Sequence, residues 1–166
     1  MGNLYDRVKL VVFSIHDTLV QNTKDGVALE RAEDITLKPR VRPILKKLSS
    51  EGYFITGVIN ITEEVFGGIK SEHVINYFST VSYLLVDCKL DEMYYSWKNG
   101  SNRWMPFPGM INDISFDYNV PKDNILFVGS SDTDWVTAQS AGIRFAYSED
   151  FFNHLVVRIP CDFLEQ

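Results

Sequence analysis

The chain has 166 residues, of which 45% are hydrophobic and 23% charged, with a net charge of −6. This is ordinary globular composition, so it excludes a disordered chain, and the acidic balance gives no sign of an obligate nucleic-acid partner. The length suits one domain over residues 1–166. No apolar run approaches the roughly 18 residues that span a bilayer, and the first residues lack the apolar stretch of a signal peptide, so no membrane partner is expected. Cys88 and Cys161 stand far apart outside any CxxC spacing, which points to a reducing, cytoplasmic setting rather than a disulfide framework.

Short apolar runs alternate with helix-period stretches, which predicts an α/β, doubly wound, Rossmann-like fold. Strands are expected near 8–14, 53–59, 82–87, 124–129 and 143–147, forming a five-stranded parallel sheet. Gln21 to Leu37, after the first strand, is too long for a plain βα loop and reads as a small flap. The first helix starts near Pro39 to Pro43 and ends before Gly52. The second covers about 62–79, with Gly67-Gly68 as a weak point. Cys88 to Pro106 is rich in aromatics and without periodicity. Residues 109–119 and 132–141 complete the helices, the last opened by Asp132 as N-cap and closed by Gly142.

Open parallel sheets bind ligands beyond the carboxyl ends of their strands. That rule selects Ser14 to Thr18, Ile59-Asn60 and Gly129 to Asp134. With Arg-Trp-Met-Pro-Phe-Pro-Gly-Met at 103–110, these segments resemble in order and spacing the four motifs of the haloacid dehalogenase superfamily of phosphatases. The likeness is greatest to its small histidinol-phosphate and heptose-bisphosphate phosphatase group. It extends to Thr18-Leu19, Asn60, Gly67, Ser71-Glu72, Pro106-x-Pro108-Gly109-Met110, Gly129-x-Ser131-Asp132-x-Asp134 and Ala141-Gly142.

The resemblance implies an aspartate nucleophile after strand one and an aspartate acid two residues on. It also implies a Ser or Thr with a lysine around the phosphoryl oxygens, and a further aspartate that completes a Mg²⁺ site. The matching positions here are Ser14, His16, Ile59, Met105 and Ser130, and none carries the expected residue. Serines in place of carboxylates remove the charge that attracts a hard cation, so no metal is expected. Ile59 donates no hydrogen bond and Met105 carries no charge, so electrostatic stabilisation is weakened too. Ser14 and His16, two apart, could face the same way as a nucleophile–base pair, whereas a hydrogen-bonded pair at a strand end is the plainer reading. Asp17 occupies the motif's glycine position, and Asp134 is a position that also supports the loop structurally.

Lys38, Arg40, Arg42, Lys46 and Lys47 read as a solvated helix face, and His73 and His154 are given no metal role. Tyr94, Tyr95, Trp97, Trp104 and Phe107, interleaved with Lys98 and Arg103, are the candidate partner surface, because aromatics and arginine favour interface centres. Related phosphatases with a zinc-binding insert place cysteines in this loop, where this chain has only Cys88.

The expectation is therefore a catalytically inactive phosphatase-like domain, without cofactor, that binds a partner protein or a small ligand in a vestigial pocket of Ser14, His16, Asp17, Thr18, Ile59, Asn60, Met105, Ser130 and Asp134. The alternative is an active phosphomonoesterase with unusual catalytic groups, acting with Mg²⁺ on a sugar phosphate or a nucleic-acid 3′-phosphate. Nucleic-acid binding by the basic helix and aromatic loop is a third reading.

Overall fold

Strand β1 (Leu10–Ser14) is buried along its whole length because it lies at the centre of a parallel sheet covered on both faces. The computed structural model describes residues 5–23, 34–66 and 70–158. β1 pairs in parallel with β4 (Phe54–Asn60) on one side and β6 (Ile125–Gly129) on the other. β5 (Glu92–Ser96) and β7 (Arg144–Tyr147) form the edges, giving the order β5-β4-β1-β6-β7. The fold is the expected five-stranded, parallel, Rossmann-like α/β sheet.

Alternation along the strands sorts the core into two layers. Val11 and Phe13 face α1 (Val41–Ser50), α3 (Ser71–Leu84) and α6 (Ser148–Arg158), where Leu45, Tyr77 and Phe151 are buried. Leu10 and Val12 face α4 (Gly109–Tyr118) and α5 (Asp132–Ala141), contributing Ile111, Ile114 and Ala138. The expected flap is represented by an antiparallel ribbon of β2 (Val20–Asn22) and β3 (Ile35–Leu37); residues 24–33 of that stretch lie outside the described residues. Among the described residues no helix is long and apolar enough to cross a membrane.

The expected strand at 82–87 is instead the end of α3 and the turn after it. Val74, Tyr77, Val81 and Leu85 are buried, a helical stripe, while Tyr83 and Val86 are each 77% exposed. The sheet's remaining strand is β5, inside the stretch read as aperiodic. Its alternation is hidden in the sequence because Met93 packs on one layer and Tyr94 on the other, so both faces are apolar. Asp91 sets its register, its backbone N–H donating to Ile55 O at 2.8 Å and its carboxylate accepting from Ile55 N at 2.8 Å. The expected second helix is two, α2 (Glu63–Phe66) and α3, with the Gly67-Gly68 weak point outside the described residues. Helix α6 was not anticipated. Phe151 and Phe152 anchor it, their rings 5.7 and 6.0 Å from that of Phe13.

The N-cap of α5 lies one residue before the expected one. Ser131, not Asp132, is the N-cap: its hydroxyl accepts from Asp134 N at 3.1 Å, and the Asp134 carboxylate accepts from Ser131 N at 3.3 Å. Gly142 closes the helix at φ 72°, as expected. Ser131→Ala should cost about 1 kcal/mol and lower Tm by about 2–4 °C. Asp132→Ala should stay within about 0.5 kcal/mol, and thermal melts of the two variants check the assignment.

Candidate active site

After β1 the chain continues through Ile15, whose N–H donates to Val58 O at 3.0 Å, and then reverses. Asp17 N donates to Val20 O at 2.7 Å, and the N–H groups of Leu19 and Val20 both donate to Ile15 O. The turn puts Asp17 at φ 65°, a left-handed conformation that glycine favours and aspartate tolerates, which accounts for Asp17 standing where the motif has glycine. Its carboxylate points to solvent, 70% exposed.

The carbonyl of Asp17 is a gathering point. The Ser130 hydroxyl donates to it at 2.8 Å and the Lys38 ammonium at 2.9 Å. Ser130 Oγ also meets the hydroxyl of Thr18 in a short hydrogen bond and lies 3.1 Å from Ser148 Oγ. Thr18 and Ser148 are buried. Lys38, Thr18, Ser130 and Ser148 open onto a cavity of about 760 Å³, lined further by Tyr147, Glu149, Asp150, Phe152 and Asn153.

The Ser14 hydroxyl hydrogen-bonds to the Asp134 carboxylate. Asp134 also accepts from Ser130 N at 2.9 Å. It is 4% exposed, and burial pushes its pKa up while these hydrogen bonds pull it down. Gly129 leaves the necessary room, because a Cβ there would stand 2.5 Å from Asp134 Cβ.

The Ser14–His16 pair does not form. His16 Nδ1 lies 2.9 Å from the Tyr77 hydroxyl, and Nε2 is 3.8 Å from Asp17 Oδ1. Burial lowers the His16 pKa, opposed by Asp17 and Asn22, so the ring is neutral at pH 7. Burial holds the Tyr77 phenol well above its usual range, so it stays protonated.

Of the expected pocket residues, Thr18 and Ser130 line the cavity, whereas Ile59 and Met105 are absorbed into the core. Ile59 packs in one core layer and Met105 in the other. Asn60 fixes the Met105 backbone instead, with Nδ2 donating to Met105 O and Oδ1 accepting from Met105 N, both at 3.0 Å. The candidate partner surface divides as well. Tyr94 is core, its hydroxyl 2.8 Å from Asp117 and 3.0 Å from Glu92, and Trp104 is half-buried. Tyr95, Trp97 and Phe107 are exposed, and Tyr95 packs between Phe78, in a tilted contact, and Trp97, edge-on.

The basic run is not one solvated helix face. Lys38 precedes the helix and joins the cluster, Arg40 donates to Phe152 O at 3.3 Å, and Arg42 and Lys46 pair with Asp87. Sequence reasoning missed Lys38, Ser148 and Tyr77 as site residues. Only Lys38 carried a signal, a cation two residues before Arg40, the residue that opens the first helix.

The fold implies magnesium, but the donor set does not fit it. Asp134 is taken up by backbone amides and Ser14, the other strand-end groups are hydroxyls, and Asp17 faces solvent. Among the described residues no three His, Cys, Asp or Glu side chains converge. His154 and Cys161 lie outside the described side chains.

No protein-family model matches the chain, and no curated protein matches it in sequence. Solved structures do. The D,D-heptose 1,7-bisphosphate phosphatase from B. bronchiseptica, complexed with magnesium and phosphate, superposes with TM-score 0.68 at 18% identity, covering 83% of this chain and 79% of that one. A protein from Mesorhizobium loti assigned as a HAD-like phosphatase gives 0.67 at 16% identity, covering 86% and 73%. A protein from Bacteroides fragilis assigned as a haloacid dehalogenase-like hydrolase gives 0.62 at 13%, covering 83% and 86%. These findings correct the expectation of a catalytically inactive binding domain, since the three solved structures named here that share its architecture carry phosphatase or hydrolase names. The chain has the haloacid dehalogenase fold of those phosphatases.

Proposed function

We propose that this protein is a phosphoric monoester hydrolase that acts on sugar phosphates with unusual catalytic groups. The observation that carries the reading is the meeting of an ammonium and three hydroxyls at the carboxyl edge of a phosphatase fold, with His16 in the turn that supplies Thr18. Lys38, Thr18 and Ser130 receive the phosphoryl oxygens, because an ammonium and hydroxyl donors complement their charge. His16 is the general base. Water attacks phosphorus and gives its proton to the imidazole, while the ester oxygen leaves with its bonding electrons and is protonated by solvent at the open mouth. The leaving group lies toward Tyr147, Glu149, Asp150 and Asn153, a wall whose carboxylates and amide suit sugar hydroxyls and whose charge disfavours a polyanionic strand. A heptose-bisphosphate phosphatase with this fold supports that substrate class. The buried free thiol of Cys88 supports a cytoplasmic setting as part of the same proposal.

A phosphate-release assay over a panel of sugar phosphates should detect turnover, and His16→Gln should lower kcat/KM by about 10²–10⁴-fold with little change in melting. Absence of release from every member, with the protein folded, defeats the reading. The lowered pKa of His16 also makes a stability prediction. A depressed histidine contributes stability that is present above the unfolded value of 6.5 and is lost as pH falls through the folded pKa. Denaturant unfolding between pH 7 and 5 should therefore show a loss of stability, at most about 1.4 kcal/mol per pH unit from this group, that is smaller in His16→Gln. Equal slopes for the two proteins would show that His16 keeps its ordinary proton affinity.

A further inference from the structure

The wall of the cavity raises a question of charge. Phosphoryl groups in water are dianionic or nearly so, and a site that holds one needs fixed positive charge or many donors. The carboxylates that would recruit magnesium are replaced or occupied, as the geometry around Asp134 shows. Among the residues that line the cavity, the cation is Lys38.

Lys38 is held from two directions. Its backbone N–H donates to Leu19 O at 2.9 Å, fixing the residue against the turn, and its ammonium donates to Asp17 O at 2.9 Å. That second bond uses one of three ammonium protons, so two remain for a ligand. The same carbonyl accepts from Ser130, so the ammonium and this hydroxyl stand on either side of one oxygen, close enough for a single phosphoryl group to bridge. Thr18 and Ser148 bracket Ser130. Hydroxyl protons rotate, so this chain of three can turn from bonding one another to donating toward an incoming anion. The opposing charges are Glu149 and Asp150, which line the same cavity and follow Ser148 in the chain.

We propose that Lys38, with the hydroxyls of Thr18, Ser130 and Ser148, forms a phosphate-binding site that works without a metal ion, the ammonium supplying the positive charge that magnesium supplies in phosphatases of this fold. The inference deepens the proposed hydrolase activity by naming how that same site holds the phosphoryl group. Binding itself is testable apart from turnover.

The probe is inorganic phosphate, titrated into the full chain by calorimetry and by ³¹P NMR in the presence of EDTA. Saturable binding is expected, unchanged on adding millimolar MgCl₂ after EDTA is removed. Lys38→Met should weaken it at least tenfold and Lys38→Arg should restore most of it, with melting temperatures near that of the parent because the side chain is only half-buried. Ser130→Ala should give a smaller loss. Binding that appears only with Mg²⁺, binding indifferent to Lys38→Met, or no binding at all would overturn the inference. Lys38-dependent binding with no sugar-phosphate hydrolysis supports the site and defeats the hydrolase reading. Hydrolysis that requires Mg²⁺ and ignores Lys38 keeps the hydrolase and overturns the site.

Discussion

One buried carboxylate organises the carboxyl edge of this sheet. Asp134 accepts from the amides of Ser130 and Ser131 and from the hydroxyl of Ser14, so a single side chain closes the end of β1, the end of β6 and the first turn of α5. Its desolvation is a cost, and these hydrogen bonds together with the helix N-terminus offset it. Removing the carboxylate would leave buried amides without partners, which is dearer than the loss of an ordinary hydrogen bond. Gly129 is part of the same arrangement, since any side chain there would occupy the space of Asp134.

Ser14 is spent on Asp134, and the groups that remain on the open side belong to the turn after β1, to Ser130 and to Lys38. The Asp17 carbonyl links them because the left-handed backbone of that residue turns it toward both donors. His16 sits between a phenol that burial keeps protonated and an exposed carboxylate, and burial lowers its own pKa. A neutral imidazole near neutral pH is poised to accept a proton.

Conserving an architecture while replacing polar groups is cheap where the scaffold rests on apolar packing. Met105 and Ile59 are each absorbed into one of the two core layers, where their burial adds to the apolar packing. Asn60 then holds the loop that carries Met105 through two hydrogen bonds to the Met105 backbone.

Local pattern alone settled the central features of this protein. The apolar run before Ser14, the glycine after Ala141 and the turn residues around Asp17 fix strand, cap and reversal through steric and desolvation effects that act within a few residues. The fold class followed from the alternation of such segments. Other features were illegible for stated reasons: β5 carries apolar side chains on both faces, so its period of two vanished, and 82–87 showed an apolar run whose burial every three or four residues belongs to a helix. The identity of the N-cap depended on which side chain reached which amide, a matter of a single residue. Above all, tertiary structure alone decided the site. Lys38 and Ser130 are distant in sequence and meet on one carbonyl, while Ser14 and His16, two residues apart, face different partners, because side-chain direction at a strand end is set by what packs against it rather than by spacing along the chain.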